Sequence, residues 1–196
     1  LKIIAPWRDW NIKSREEAID YALAKNIDLK GITKEKIYSR DQNLLHVSHE
    51  GGMLEDPAKE PDFDELLLMT NTVEKAPDLA EYVEIEFEKG IPVKLNNKKL
   101  NGENMLKALN RIGGTHGIGI LDLLENRLVG MKSRGIYETP GGTILLEAHK
   151  YLESLVLEKE EAHFKDMVGQ KYADLVYNGM WYSDFKKALD SFIDST

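Results

Sequence analysis

The sequence predicts an α+β fold: a mixed, largely antiparallel sheet followed by C-terminal helices. Three observations carry this. The middle of the chain alternates apolar and polar residues with period two, in "YVEIEFEKGIPVKLNNKKL". The last part changes to helical spacing, in "GTILLEAHKYLESL", "EKEEAHFKDMVGQKYADLVYNG" and "SDFKKALDSFI". Strands therefore come first and helices last, with no internal repeat between them.

Taken in order, "LKIIAPW" reads as a strand and its exit turn, stopped by Pro6. Ser14 opens a helix through the capping box "SREE", in which its hydroxyl takes the Glu17 amide and Glu17 reaches back. Ala18, Ile19, Ala22 and Leu23 form the apolar face of that helix, and Asn26 ends it. "YSRDQNLLHVSHEGG" mixes apolar residues with Ser, Asp, Asn and His, and "EDPAKEPDFDE" is an acidic loop. "LLLMT" reads as a strand. Val83, Ile85 and Phe87 then alternate with Glu84, Glu86 and Glu88, which predicts a sheet with one solvated face. Lys89-Gly90 and Asn96-Asn97 are its turns, and Pro92 marks an edge or a strand start. "NGENMLKALNRIGG" is a helix with a Gly-Gly stop. "GIGILDLLENRLVGMKS" returns to strand chemistry, interrupted at Glu125 to Arg127. The first of the three last helices is entered through Pro140-Gly141-Gly142-Thr143, and Ser183 caps the third.

Composition narrows the class. At 196 residues, 42% hydrophobic and 31% charged, the chain has the make-up of a soluble globular protein with one good core. A formal net charge of -8 argues against nucleic acid or an anionic membrane as partner. No apolar run approaches the ~20 residues needed to cross a bilayer. The absence of cysteine excludes disulfides and thiol chemistry and fits a reducing cytosol. The chain opens on Leu1 inside one element and stops inside another, which predicts a piece of a longer protein.

Several groupings are candidates for chemistry. "GGTHGIG" (113–119) is glycine-rich, yet it follows a helix and lacks the Lys-Ser/Thr of a phosphate loop, so it reads as a helix stop. His46, His49, His116, His149 and His163 lack metal-ligand spacing and read as ordinary core or surface histidines. Ser39 and Ser48 lie in a segment too polar for a core strand; they suit either a neutral urea or amide ligand or a turn. "ENRLVGMKSRGIYETPGGT" (125–143) ends at a helix N-terminus and offers Glu125 for a ligand ammonium and Tyr137 as a rigid hydroxyl. A salt-bridged connection explains the same residues equally well at this level.

Together, "IIAPWRDW", "YSRDQNLLHVSHEGGMLEDP", "VEIEFEKGIPVKLN", "THGIGILDLLENRLVGMKSRGIYETPGGTILLEAHKYLE" and "YADLVYNGMWYS" resemble consecutive motifs of the argininosuccinate synthase family. The resemblance spans nearly the whole chain. It implies an ATP-dependent ligase that joins citrulline to aspartate through a citrullyl-adenylate, releasing AMP and pyrophosphate. By the same resemblance Ser39, Ser48, Glu125 and Tyr137 match the family's citrulline contacts. ATP with Mg2+ is implied as bound mainly by an N-terminal domain whose Ser-Gly-Gly loop this sequence does not contain. Residues 1–28 then look like the end of that nucleotide-binding domain, and 29–196 like the synthetase and multimerisation domain. A cytoplasmic homotetramer is implied, without nucleic acid or membrane as partner. Arg40 and Gln42 depart from the pattern, where an apolar residue and a Glu are expected. No residue is marked as a general base. The alternative is an oligomerisation module without activity of its own.

Overall fold

The computed structural model describes residues 2–29, 32–33 and 38–196. It is α+β, with two antiparallel sheets and the longest helices at the C-terminal end. The chain divides into two compact units, 1–83 with 100–143 and 84–99 with 144–196.

The first unit begins with a correction. Residues 2–5 form no strand; Pro6 instead starts the short helix α1 (Pro6–Asp9), a position where its missing N–H costs nothing. Helix α2 (Arg15–Ala24) is capped as expected, with Ser14 Oγ accepting from Glu17 N at 3.2 Å. Glu17 reaches one residue further back than predicted, accepting from Lys13 N at 2.5 Å. Ile19 and Ala22 are buried, whereas Leu23 is exposed. Strands β1 (Ser39–Gln42), β2 (Val47–Glu50), β6 (Ile120–Asn126) and β7 (Lys132–Glu138) form one sheet in the order β1-β2-β7-β6. "LLLMT" is not a strand: Leu66 ends the short helix α3 (Phe63–Leu66), and 67–70 run without regular structure. Tyr38, Leu54, Leu66 and Ile136 form the buried cluster beneath the sheet, flanked by Met53, Phe63 and Ile120.

Helix α4 (Gly102–Thr115) buries Met105, Leu109 and Ile112 on one face. Gly113 and Gly114 lie inside its last turn, so they are not its stop. The chain leaves the helix at Gly117, whose φ of +69° suits glycine. At Gly114 the hydrogen is needed for space, because a Cβ there would stand 2.1 Å from the Met69 carbonyl oxygen. This close packing brings the Asn71 amide to Gly114 O at 2.8 Å.

The second unit joins a small sheet, β3 (Ile85–Glu88), β4 (Ile91–Leu95) and β5 (Lys98–Lys99), to α5 (Pro140–Val156) from residue 144 on, α6 (Lys159–Tyr177) and α7 (Asp184–Ser195). Lys89, Gly90, Asn96 and Asn97 all take positive φ, which makes both predicted turns tight hairpins. Pro92 sits on the middle strand, but β5 pairs only with Lys94 and Leu95, so no partner requires its missing N–H on that side. Phe87 meets His149 of α5 edge-on at 5.9 Å. Phe164 of α6 and Phe192 of α7 pack perpendicular at 5.1 Å, and Tyr172 donates to Asp190 at 3.0 Å. Ser183 Oγ caps α7 by accepting from Lys186 N.

Candidate functional site

Strand pairing decides which side chains share a face, since directly opposed residues point the same way and alternate ones return to that side. Ser48 opposes Tyr137 and Asp41, and Ser39 is two residues before Asp41. Tyr137 opposes Leu121, and Glu125 is four residues after Leu121. Ser39, Ser48, Tyr137 and Glu125, one from each strand, therefore lie on one face of the sheet. The four residues singled out in the sequence are brought together across 98 positions of chain.

The side chains interact. Tyr137 Oη donates a hydrogen bond to Glu125 Oε1. Gly135 lies between them on the same face, and a Cβ there would come within 2.9 Å of the tyrosine ring and 3.2 Å of the Glu125 carboxylate. Its missing side chain lets the ring fold back over the sheet. Burial, then the Glu125 contact, pushes the Tyr137 hydroxyl far above its ordinary pKa. It is a hydrogen-bond donor at any working pH. Ser48 is 5% exposed, so its hydroxyl is already withdrawn from bulk water.

Arg127 closes one end of this face. It donates to Glu50 Oε2 at 2.5 Å and Ser133 Oγ at 3.2 Å. A cavity of about 500 Å³ opens there, lined among others by Ser39, Glu50, Arg127 and Ser133. Arg15 and Lys132 also border it, which gives it a cationic rim. Another cavity, of about 590 Å³, lies in the second unit around Lys89, His149, Glu153 and Lys165, and no candidate site residue lines it.

The opposite face holds what sequence reasoning missed. Glu138 and His49 are both fully buried, with His49 Nε2 2.8 Å from Glu138 Oε1. Arg40 Nε–H donates to His49 Nδ1 at 3.0 Å, so Nδ1 is the acceptor and Nε2 carries the proton towards Glu138. The Glu138 carboxylate also accepts the backbone amides of Leu68, Met69 and Thr70 at 2.8, 2.7 and 2.7 Å. The segment predicted as a strand thus spends its amides on one carboxylate. The departure at Arg40 gains a role here, as the group that fixes the His49 ring. Burial alone would raise the Glu138 pKa; the bonds from His49 and from the Leu68 and Met69 amides outweigh it and hold the carboxyl below its ordinary value.

That shift has a pH consequence. A carboxyl depressed in the folded state adds stability above its unfolded pKa, and the contribution is lost as pH falls through the folded value. Thermal unfolding midpoints measured from pH 7 to pH 3 are expected to drop below the ordinary carboxyl pKa of 4.5. The drop should be shallower in Glu138→Gln, which has no proton to take up there. Equal slopes in the two proteins would remove Glu138 as the source.

Among the described residues no group of three or more His, Cys, Asp or Glu could hold a metal ion, and no helix is long and apolar enough to cross a membrane.

The whole of 38–196, which carries this sheet and all four candidate residues, matches the family described as "Arginosuccinate synthase C-terminal domain". The chain belongs to the argininosuccinate synthase family. All 196 residues align with argininosuccinate synthase of Carboxydothermus hydrogenoformans at 60% identity, covering 48% of that protein. They align at 62% with the enzyme of that name from Thermoanaerobacter sp. strain X514 and at 57% with that of Clostridium perfringens, covering 47% and 48%. The chain thus spans about half the length of the curated argininosuccinate synthases it matches.

Proposed function

We propose that this chain is the citrulline-side half of an ATP-dependent ligase that joins citrulline to aspartate. In this reading the citrulline ureido oxygen attacks the α-phosphate of ATP and pyrophosphate leaves. The aspartate amine then displaces AMP from the citrullyl-adenylate to give argininosuccinate. The observation that carries the reading is the convergence of Ser39, Ser48, Glu125 and Tyr137 on one sheet face from four separate strands. A solvated connection between strands would not need all four on the same side.

The face suits a zwitterion with a neutral urea. Glu125 takes the ammonium by a charge-assisted bond, and Tyr137 holds that carboxylate in place. The serine hydroxyls, each both donor and acceptor, match the urea or carboxylate groups. ATP is assigned mainly to a preceding nucleotide-binding domain, of which residues 1–28 are the end and 29–196 the synthetase and multimerisation domain. The 113–119 run lies at the end of α4, and among the described residues no group of three or more His, Cys, Asp or Glu could hold a metal ion. In this reading Mg2+ accompanies the ATP phosphates on that domain, and no step is routed through it here.

Glu125→Gln in the full-length enzyme is expected to raise the citrulline KM by roughly tenfold or more, as loss of a charged hydrogen bond worth ~1.5–3 kcal/mol implies. The ATP KM should move little. An unchanged citrulline KM in steady-state assays would remove Glu125 from the site.

The subunit-contact role rests on a separate observation. Leu146, Tyr151, Leu155 and Val156 of α5 are 69–81% exposed, more apolar surface than one helix of a lone domain normally shows to water. We assign them to contacts with further copies of the chain in a cytoplasmic homotetramer. Sedimentation velocity of this chain at high concentration checks it; a monomer throughout would exclude association through this half alone.

A further inference from the structure

His46 lies beside the proposed citrulline face and the family reading gives it no task. Its ring stands 6.2 Å from that of Tyr137, tilted by 33°. It is two residues before Ser48, on the same side of the sheet, at the end of β2 away from Glu125. It is half-buried.

The turn that carries it fixes its chemistry. Asn43 Oδ1 accepts the backbone amides of Leu45 and His46 at 2.8 and 3.1 Å. Two N–H donors on one atom settle which end of the amide is oxygen. The other end, Nδ2, must donate to His46 Nδ1, 3.1 Å away. Nδ1 is then an acceptor, and in the neutral ring the proton sits on Nε2. Among the described residues Nε2 has no partner. The turn itself is held from outside. Asn110 of α4 donates to Leu44 O at 2.8 Å while accepting from Gly141 N at 2.9 Å, and Asn43 N pairs with His46 O at 3.0 Å. A side chain with a set tautomer, on a braced turn beside the proposed ligand face, whose Nε2–H has no partner among the described residues, is built to donate.

We propose that His46 Nε2–H donates a hydrogen bond to an oxygen of the reacting substrate, at the end of the site opposite the Glu125 carboxylate. This rests on the reading of the face as a citrulline site. With its Nδ1 lone pair taken by Asn43, the ring has no free lone pair for a general base; it is a donor and a positioning group. The oxygen belongs either to citrulline itself or to the α-phosphate of the adenylyl group transferred to it.

The experiment uses the full-length enzyme with His46→Phe, which keeps a ring against Tyr137 and removes the donor. A second variant, Asn43→Asp, keeps the acceptor oxygen for the turn and replaces the donor to Nδ1 by an acceptor. It should drive the ring proton to Nδ1 and turn Nε2 from donor to acceptor. Glu125→Gln is run in parallel. Both variants are expected to lose at least tenfold in kcat/KM for citrulline. A rise in citrulline KM assigns the acceptor to citrulline; a fall in kcat with KM unchanged assigns it to the adenylyl phosphate. Nitrogen-15 NMR of the His46 ring should show the proton on Nε2 in the parent and on Nδ1 in Asn43→Asp. A parent proton on Nδ1, or both variants within twofold of the parent while Glu125→Gln raises the citrulline KM, overturns the role of His46 and leaves the site reading standing. If Glu125→Gln is silent as well, the site reading falls and the inference falls with it.

Discussion

Replacing Glu138 with alanine is expected to cost about 4 kcal/mol or more, enough to unfold a protein at the lower end of the usual 5–15 kcal/mol stability range. The carboxylate is fully buried and satisfies four donors at once: His49 and the amides of Leu68, Met69 and Thr70. Its removal leaves those amides without partners in the interior, at ~1–3 kcal/mol for each that water cannot reach. Glu138→Gln keeps the shape but points an N–H2 at donors, and is expected to lose somewhat less. An exposed acid such as Glu74 serves as control, with Glu74→Ala inside ~0.5 kcal/mol. Urea denaturation midpoints measure all three. A Glu138→Ala midpoint within error of the parent would mean that the amides find other acceptors.

Gly114→Ala is expected to destabilise by about 3 kcal/mol, against the ordinary preference of helices for alanine. The added methyl would lie 2.1 Å from Met69 O, a backbone atom. Residues 68–71 cannot yield easily, because Glu138 holds three of their amides and Gly114 O itself holds the fourth. Gly169 makes the contrast. It sits inside α6 with nothing within 4 Å of its ideal Cβ, and Gly169→Ala should stabilise by ~0.5–1 kcal/mol. Two glycines in helices, substituted identically, are expected to shift thermal midpoints in opposite directions; the same sign for both would refute the packing argument. Gly114→Ala and Glu138→Ala act on one segment, so the double variant should lose less than the sum.

Those two residues show what was and was not legible in the sequence. The hairpins at Lys89-Gly90 and Asn96-Asn97, the Ser14 and Ser183 caps and the C-terminal helices are local, and period, turn chemistry and capping report them directly. Ser39, Ser48, Glu125 and Tyr137 stand out in two motif runs, and strand pairing puts them on one face. Glu138 was passed over as part of a polar run, although it follows Tyr137 and alternation sends it to the other face. Its partners are 68–89 positions away, and no local pattern announces them. The same cause undid "LLLMT". Its apolar letters suggest a strand, but its amides go to a carboxylate instead of a neighbouring strand. At "LKIIAPW" Pro6 reads as a stop but starts a helix, since proline suits both positions. Gly113 and Gly114 look like a helix-end glycine pair, while Gly114 is there to admit a backbone from elsewhere.

The strand order β1-β2-β7-β6 also sets a timetable for the nascent chain. β2 leaves the ribosome with only β1 to pair with; its other edge waits for β7, whose last residue follows His49 by 89 positions. At ~5–20 residues added per second the wait lasts several seconds. Through that interval one strand edge and the Leu68–Thr70 amides are open to any acceptor that arrives, including another nascent chain. Faster translation of 51–131 would shorten the exposure, and runs of slow codons there would lengthen it. The yield of soluble protein should therefore track synonymous changes in that window more closely than those in the codons for α6 or α7, where the partners are near in sequence.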